Sequence, residues 1–215
     1  MSKEELKQVS DAKITKKIKK GETIFDEGER LNGVFCVRNG VSKLSQLSDN
    51  GNDQIVKIAG KGEVIGKRAV IAEEKIHLKA TALSDMEVCF IPKHQIVDPL
   101  KNNHRFSLEV LKSLTDELKE ADNIIVNRSQ KSVSQRLAEV LLYLKDNYGE
   151  DEQGFLKLVL TREDLAGIVG TAKESCIRNL SQLKKDGYIE TDGKDIAIKD
   201  ENALLKIIDG KRYRN

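Results

Sequence analysis

The sequence predicts an α+β protein in which an antiparallel β-roll is followed by a long helix and then by a winged helix-turn-helix. Three observations lead to this fold class. Short alternating segments separated by glycines fill residues 21–92, apolar residues then recur at heptad spacing, and two capped helical segments flank Gly170 ahead of a hairpin signal. With 215 residues, the chain is long enough for two small domains.

The predicted roll consists of short strands at residues 22–25, 33–37, 41–44, 54–58 and 87–91. Several of them alternate apolar with polar side chains, which is the period of a strand with one buried face. Glycines stand between the strands, including Gly28, Gly40 and the pair Asn50, Gly51, and suit the positive φ angles of tight turns. We therefore expect a small antiparallel β-domain over residues 1–93.

A long helix is expected over residues 94–127, because this segment is compatible with a helix apart from Pro99 near its start. Its apolar residues follow the three-four repeat of a coiled coil, and we call them the heptad seam: Leu111, Leu114, Leu118, Ala121 and Ile125. Packing of this helix on its own domain would also explain the spacing. A helix of about 30 residues is about 45 Å long, however, which exceeds what a roll of this size covers. The seam therefore predicts pairing with a second copy of the chain.

Residues 127–132 contain a run of polar side chains after the seam, and we place a hinge there, with the C-terminal domain at residues 128–215. A helix with an apolar stripe follows and is expected to end near Gly149, since glycine is a favoured residue at helix C-termini. The alternating residues 156–160 predict a short strand.

Two helix starts lie ten residues apart in this C-terminal domain. Thr161 is followed three residues later by Asp164, and Thr171 by Glu174, so each hydroxyl is expected to cap a helix N-terminus. Gly170 between them suits the left-handed conformation of a tight turn. This spacing predicts a helix-turn-helix.

The second helix of the pair, expected at residues 172–185, carries four basic side chains and one acidic one. Asp192 and Gly193 follow between two short apolar segments, and this dipeptide is a strong hairpin signal. A hairpin behind a basic helix is typical of a winged helix, which places that helix in the major groove of DNA. Ordinary packing with solvated lysines would explain each feature singly, but their order favours binding to double-stranded DNA.

Other classes of protein find little support. Apolar residues make up 39% of the chain, yet the longest apolar run, 140–144, falls far short of the roughly 18 residues of a membrane span. The first residues resemble no secretory signal, so we expect a cytoplasmic protein with no membrane partner. The three cysteines lie far apart, and neither a His-Glu-x-x-His motif nor a nucleophile elbow is present. We expect no catalytic residue, no metal site and no enzymatic activity.

From Thr161 to Gly170, and at Lys173, Glu174, Ser175 and Arg178, the sequence resembles the Crp/Fnr family of bacterial transcription regulators, and the resemblance extends over essentially the whole chain. It implies that Glu174 and Arg178 read bases, consistent with arginine binding guanine O6 and N7 and glutamate accepting from cytosine N4. Lys173 stands where many members have arginine, so the base preference at that contact does not follow from the resemblance. The full set expected to contact DNA is Thr171, Lys173, Glu174, Ser175, Arg178, Arg162, Lys184 and Lys194.

The N-terminal half is similar to the cyclic-nucleotide-binding roll of the same family. The matching residues are Gly21, Glu22, Ile24, Phe25, Gly28, Glu29, Val37, Gly40, Gly62, Glu63, Ile65 and Gly66. The family's cyclic AMP contacts are replaced: Lys67 stands in place of the ribose-binding glutamate, His77 and Leu78 in place of the phosphate-binding Arg-Ser pair, and Ala121 and Asp122 in place of the purine-binding Thr-Ser pair. We therefore expect no tight binding of cyclic AMP.

Five polar side chains could form a binding rim for a different effector: Lys67, Arg68, His77, Lys79 and Asp122. Ordinary surface charge is the better explanation of them. His77 as a haem ligand has weak support, because no second ligand is recognisable. An iron-sulfur cluster is disfavoured, since the oxygen-sensing branch uses several N-terminal cysteines and none precedes Cys36. No cofactor is therefore predicted.

These observations and the resemblance together predict a homodimeric regulator that binds an inverted-repeat operator, acts with RNA polymerase and responds to an effector other than cyclic AMP. The alternative from another class is a nucleotide-binding signalling adaptor that acts through protein contacts and binds no DNA. A DNA affinity that falls steeply with salt would separate the two.

Overall fold

The computed structural model describes residues 14–47 and 53–210, which form two compact units. The first unit takes the residues up to 46 together with 56–122, and the second takes 47–55 together with the chain from 123 onwards. The turn expected at Asn50, Gly51 lies outside the described residues.

The described residues contain ten strands: β1 Ile14–Ile18, β2 Thr23–Phe25, β3 Gly33–Asn39, β4 Ser42–Leu47, β5 Asp53–Ala59, β6 Val64–Ile65, β7 Lys79–Ala82, β8 Met86–Pro92, β9 Ile189–Asp192 and β10 Asp195–Ile198. The first eight form two four-stranded sheets with strand orders β1-β8-β3-β6 and β2-β7-β4-β5. The predicted roll is thereby confirmed, and so are its five expected strands. The sequence does not predict strands β1, β6 and β7. Strand β6 has only two residues, and β1 is mostly exposed and polar.

The core of the roll is built from the inward side chains of facing strands. Phe35 of β3 lies opposite Phe90 of β8, with ring centroids 5.2 Å apart, and Phe25 of β2 lies 5.9 Å from Phe35. Gly40 permits the tight connection from β3 to β4, because its φ is +83° and an added Cβ would lie 2.3 Å from the Cβ of Met86. The glycine spacing of the sequence therefore has a steric basis at this position.

The described residues also contain seven helices: α1 Lys67–Ala72, α2 His94–Asn102, α3 His104–Gln130, α4 Val133–Tyr148, α5 Arg162–Val169, α6 Lys173–Lys185 and α7 Glu201–Ile208. None of them is long and apolar enough to span a membrane.

The long helix differs from the one expected over residues 94–127. The chain is extended at Asn103, with φ −128° and ψ 94°, and this residue separates α2 from α3. Its side-chain oxygen accepts a hydrogen bond from the Phe106 amide at 3.0 Å, so it caps the start of α3. Helix α3 alone has 27 residues and is about 40 Å long.

The polar break expected at residues 127–132 is shorter in the structure. Helix α3 continues to Gln130, because solvated polar side chains do not prevent a helix, and the break is confined to Lys131 and Ser132. Ser132 then caps α4 in a reciprocal capping box with Gln135.

The strand expected at residues 156–160 is absent, and isolated bridges such as Glu150 to Leu156 take its place. Leu156, Leu158 and Leu160 are nevertheless buried in the core of the second unit. The segment is irregular, but every second side chain is buried on one side of it, and this burial pattern has the same period of two as a strand.

Candidate nucleic-acid interface

Helix α5 begins with the predicted capping box. The Asp164 amide donates to Thr161 Oγ1 at 3.0 Å, and the Thr161 amide donates to Asp164 Oδ2 at 3.3 Å. The helix ends at Gly170 in the left-handed conformation, with φ 70° and ψ 52°. The first helix and the turn of the predicted helix-turn-helix are thus confirmed.

The second helix starts differently from the prediction. Ala172 is the N-cap of α6, and no side chain caps it. Thr171 lies one residue outside the helix, and its amide donates to the Ala166 carbonyl at 3.1 Å, as the Gly170 amide does at 2.9 Å. Because the backbone of Thr171 is needed to close α5, the capping role expected for its hydroxyl is wrong.

Helix α6 has a buried face and an outward face. The buried face consists of Cys176, Leu180 and Leu183, which pack inside the second unit. Glu174 and Arg178 are exposed on the other side, one helical turn apart, while Ser175 is half-buried. The two side chains expected to read bases therefore point away from the core.

The hairpin β9 and β10, which we call the wing, is held to the two helices by side chains predicted to contact DNA. The Arg162 guanidinium donates to the Gly193 carbonyl at 2.8 Å and to the Lys194 carbonyl at 3.3 Å. Lys184 Nζ donates to the Thr191 carbonyl at 3.0 Å and to its hydroxyl at 3.1 Å. Arg162 and Lys184 therefore position the wing, while the exposed Lys194 lies at its tip.

Lys173 at the start of α6 forms an ion pair with Glu163 of α5. The hydrogen bond to Glu163, followed by its charge, raises the pKa of Lys173. The pair ties the beginning of the outward helix to the helix before it, so that part of the lysine's charge is neutralised within the protein.

Arg136 of α4 was missed by the sequence analysis, although it organises the turn. Its Nε donates to the Val169 carbonyl at 2.8 Å, and its terminal nitrogens donate to the carbonyls of Gly170 at 3.3 Å and Lys131 at 2.6 Å. A single arginine thus satisfies acceptors at the end of α5 and at the break before α4. No sequence signal distinguishes it from a solvated arginine on an amphipathic helix.

Comparison with known proteins agrees with this architecture. The sequence-family model of the cyclic nucleotide-binding domain matches residues 15–103, and the sequence-family model of the Crp-like helix-turn-helix domain matches residues 135–207. Electron transport regulator A of Shewanella oneidensis is 32% identical over 206 residues, which cover 93% of this chain and 81% of that protein. The chain belongs to the Crp/Fnr family. Members of this family are transcription regulators rather than enzymes.

Other relatives of the Crp/Fnr family agree in sequence or in fold. The fumarate and nitrate reduction regulatory protein of Escherichia coli K12 is 26% identical over 212 residues, which cover 96% of this chain and 84% of that protein. A putative Crp/Fnr-family regulator from Eubacterium rectale superposes with a TM-score of 0.83 at 20% identity, over 97% of this chain and 95% of that one. A DNA-binding regulator of the Crp/Fnr type is therefore the class of this protein.

The cations expected at the effector rim of this Crp/Fnr protein are paired with carboxylates. Three pairs lie within the first unit: Lys67 with Glu117 at 3.2 Å, Arg68 with Glu74 at 3.3 Å and Lys79 with Asp26 at 3.2 Å. His77 also lies 3.9 Å from Glu74, and Asp122 is exposed on α3. Each of these three cations therefore has an acidic neighbour that a bound anion would have to displace.

Glu117 on α3 is the centre of a small ion-pair cluster. Its Oε1 lies 2.9 Å from Lys57 Nζ and 3.2 Å from Lys67 Nζ, while Lys57 also contacts Glu63 at 2.9 Å and Lys67 donates to Ser113 at 2.8 Å. Burial opposes ionisation of Glu117, but the hydrogen bonds and charges of the two lysines outweigh it and lower its pKa. Lys67, at the family's ribose-binding position, is thus engaged by α3 and does not fit the role of a ribose acceptor.

The heptad seam on α3 is largely uncovered. Leu111, Leu118 and Ile125 lie seven residues apart and are 60%, 63% and 66% exposed. Leu114 is half-buried and Ala121 is exposed. Among the residues that the structure describes, this stripe of large apolar side chains has little to pack against, which favours an intermolecular contact.

Proposed function

We propose that this protein binds an inverted-repeat operator as a homodimer, with Glu174 and Arg178 of α6 reading base edges in the major groove. The observation that carries the proposal is the outward orientation of these two side chains on a helix whose opposite face is buried. Their spacing of four residues places them one turn apart, so both can face neighbouring base pairs. A bidentate arginine-guanine contact distinguishes bases by about 1 to 3 kcal/mol.

The remaining predicted contacts position the protein on the DNA and do not distinguish between base sequences. Lys194 at the tip of the wing is exposed and can bind a phosphate, and Arg162 retains further N–H donors after its two bonds to the wing. Contacts of this kind fix the register of the protein on the duplex. Lys184 acts through the wing that it holds, and Lys173 shares its charge with Glu163.

Dimerisation through the heptad seam supports the inverted repeat. Two copies of α3 that bury Leu111, Leu118 and Ile125 against each other would be related by a twofold axis. The two copies of α6 would then enter successive major grooves about 34 Å apart. An operator with matching half-sites follows from that symmetry.

An effector other than cyclic AMP, or none, fits the first unit best. A cyclic phosphate would have to replace carboxylates that already pair with the cations of the roll, at a cost in broken ion pairs. Once bound to its operator, the regulator would act on RNA polymerase.

The proposal is tested by selecting operators from a random duplex library with the full-length protein and then titrating the selected duplex in gel-shift assays. We expect an affinity that falls steeply with salt. Arg178→Ala should weaken binding about 5- to 150-fold per half-site and relax the preference at one position of each, while Lys157→Ala, at an exposed lysine outside α6, should not. Failure to select any sequence, with no salt-dependent binding, would leave the signalling-adaptor alternative.

A further inference from the structure

Helix α6 carries one side chain that does not fit the polar character of its outward face. Ile177 is 41% exposed, and it is the one large apolar residue exposed between residues 155 and 199, all of which the structure describes. The core beneath α6 is filled by Cys176, Leu180 and Leu183, and Ile177 lies beside this core with about two fifths of its surface open to solvent.

The position of Ile177 is more informative than its exposure, since single apolar residues are common on protein surfaces. It lies three residues after Glu174 and directly before Arg178, and Ser181 follows it by one turn. Residues three and four apart are neighbours on a helix surface, so Ile177 adjoins both Glu174 and Ser181. A branched side chain also lowers helix propensity slightly, which gives no reason for isoleucine at an exposed site.

We infer that Ile177 determines sequence specificity by contacting the C5 methyl group of a thymine in each half-site of the operator. This inference rests on the proposed function and names one further base that the same helix recognises. Thymine is the base whose major-groove edge carries an apolar group, and that methyl is recognised by apolar contact. Glu174 and Arg178 offer hydrogen bonds, which suit cytosine and guanine and leave a methyl group unrecognised.

The two kinds of contact complement each other. Hydrogen bonds from Arg178 and Glu174 fix the helix over a C·G pair, and Ile177 then excludes water from an adjacent thymine methyl. Cytosine at that position would lack the methyl and present an amino group to the isoleucine, which cannot accept its hydrogen bond. The operator should therefore contain a thymine next to the base pair that Arg178 reads.

The test uses the full-length protein and the operator selected above, with single thymines replaced by deoxyuridine. This exchange removes only the methyl group. At the thymine contacted by Ile177 we expect about a fourfold loss of affinity per half-site, and at thymines outside the half-sites no change. Ile177→Ser should bind the thymine operator as weakly as the native protein binds the uridine operator, and should not distinguish the two duplexes.

Ser181→Ala, on the same face one turn further along, is the matched control and should keep the native sensitivity to uridine. Native circular dichroism of Ile177→Ser would show that its loss of affinity does not come from unfolding. A native protein insensitive to uridine at every thymine of the half-sites would overturn the inference, and so would uridine sensitivity that persists in Ile177→Ser. In either case, a large loss of DNA affinity in Arg178→Ala would show that the proposed function stands. If the proposed function itself were wrong, the native protein would bind none of the duplexes.

Discussion

Replacing Arg136 by alanine should destabilise the second unit by about 3 kcal/mol. The guanidinium makes three hydrogen bonds of 2.6 to 3.3 Å to the carbonyls of Val169, Gly170 and Lys131, and a contact of 3.5 Å to the Arg128 carbonyl is too long to add much. Charge-assisted hydrogen bonds contribute about 1.5 to 3 kcal/mol each when well buried. Since the side chain is half-buried and the freed carbonyls can be hydrated, we take about 1 kcal/mol for each bond.

Alkylation of Cys176 measures this change in the intact protein. The Cys176 side chain is 0% exposed, and burial raises the pKa of its thiol to about 11, so it reacts only when the second unit opens. A loss of 3 kcal/mol should raise its labelling rate by roughly 150-fold, because each 1.4 kcal/mol changes an equilibrium tenfold. Cys89 is buried in the first unit and serves as an internal reference whose rate should not change.

Arg136→Lys provides a matched control, because lysine keeps the charge and can reach only part of the three acceptors. We expect an intermediate labelling rate for it. A rate for Cys176 in Arg136→Ala within a factor of two of the native value would refute the view that Arg136 holds the turn. An equal increase in the labelling rate of Cys89 would show that the substitution destabilises the whole protein and not the second unit alone.

Three further predictions follow from individual contacts. Lys184→Ala should loosen the wing by about 1 kcal/mol, seen as roughly fivefold faster amide exchange over residues 189–198, while Lys185→Ala should not. Glu117→Gln should destabilise the first unit at pH 7 by about 1 kcal/mol or less. The pKa of Glu117 is lower in the folded protein than its ordinary value of 4.5, so its contribution to stability is present above pH 4.5 and is lost as the pH falls through the folded pKa. Urea unfolding of the native protein and of Glu117→Gln between pH 7 and 3.5 measures this loss, with the exposed Glu120→Gln as control. A stability difference between the two proteins that persisted at pH 3.5 would contradict the prediction. Leu118→Asp should give monomers in sedimentation equilibrium, and a stable dimer would place the interface elsewhere.

Local signals in the sequence predicted much of this fold. The glycines at tight turns, the Thr161 capping box and the Gly170 stop each specify a backbone conformation that few other residues permit, and all three appear in the structure. The roll and the helix-turn-helix could be recognised because several such signals occur in a fixed order.

The errors arose where several structures satisfy the same local pattern. Thr171 and Glu174 have the spacing of a cap, but the turn recruits the backbone of Thr171 to close α5. The alternation at residues 156–160 matches a strand, yet it comes from one-sided burial of an irregular segment. The capping bond of Asn103, which marks the division of the long helix, has no distinctive sequence signal, because asparagine is common in many other settings.

The amino-acid sequence alone determined the fold class of this protein, because the hydrophobic period, the turn glycines and the helix caps each act over a few neighbouring residues and can be read directly from the sequence. Tertiary structure alone decided which charges remain available. Lys67, Arg162, Lys173 and Lys184 look equivalent in the sequence, but each meets an acceptor on another element of the fold, and a salt bridge or hydrogen bond depends on proximity in space. For the same reason the outward position of Ile177 became visible only when the buried face of its helix was known.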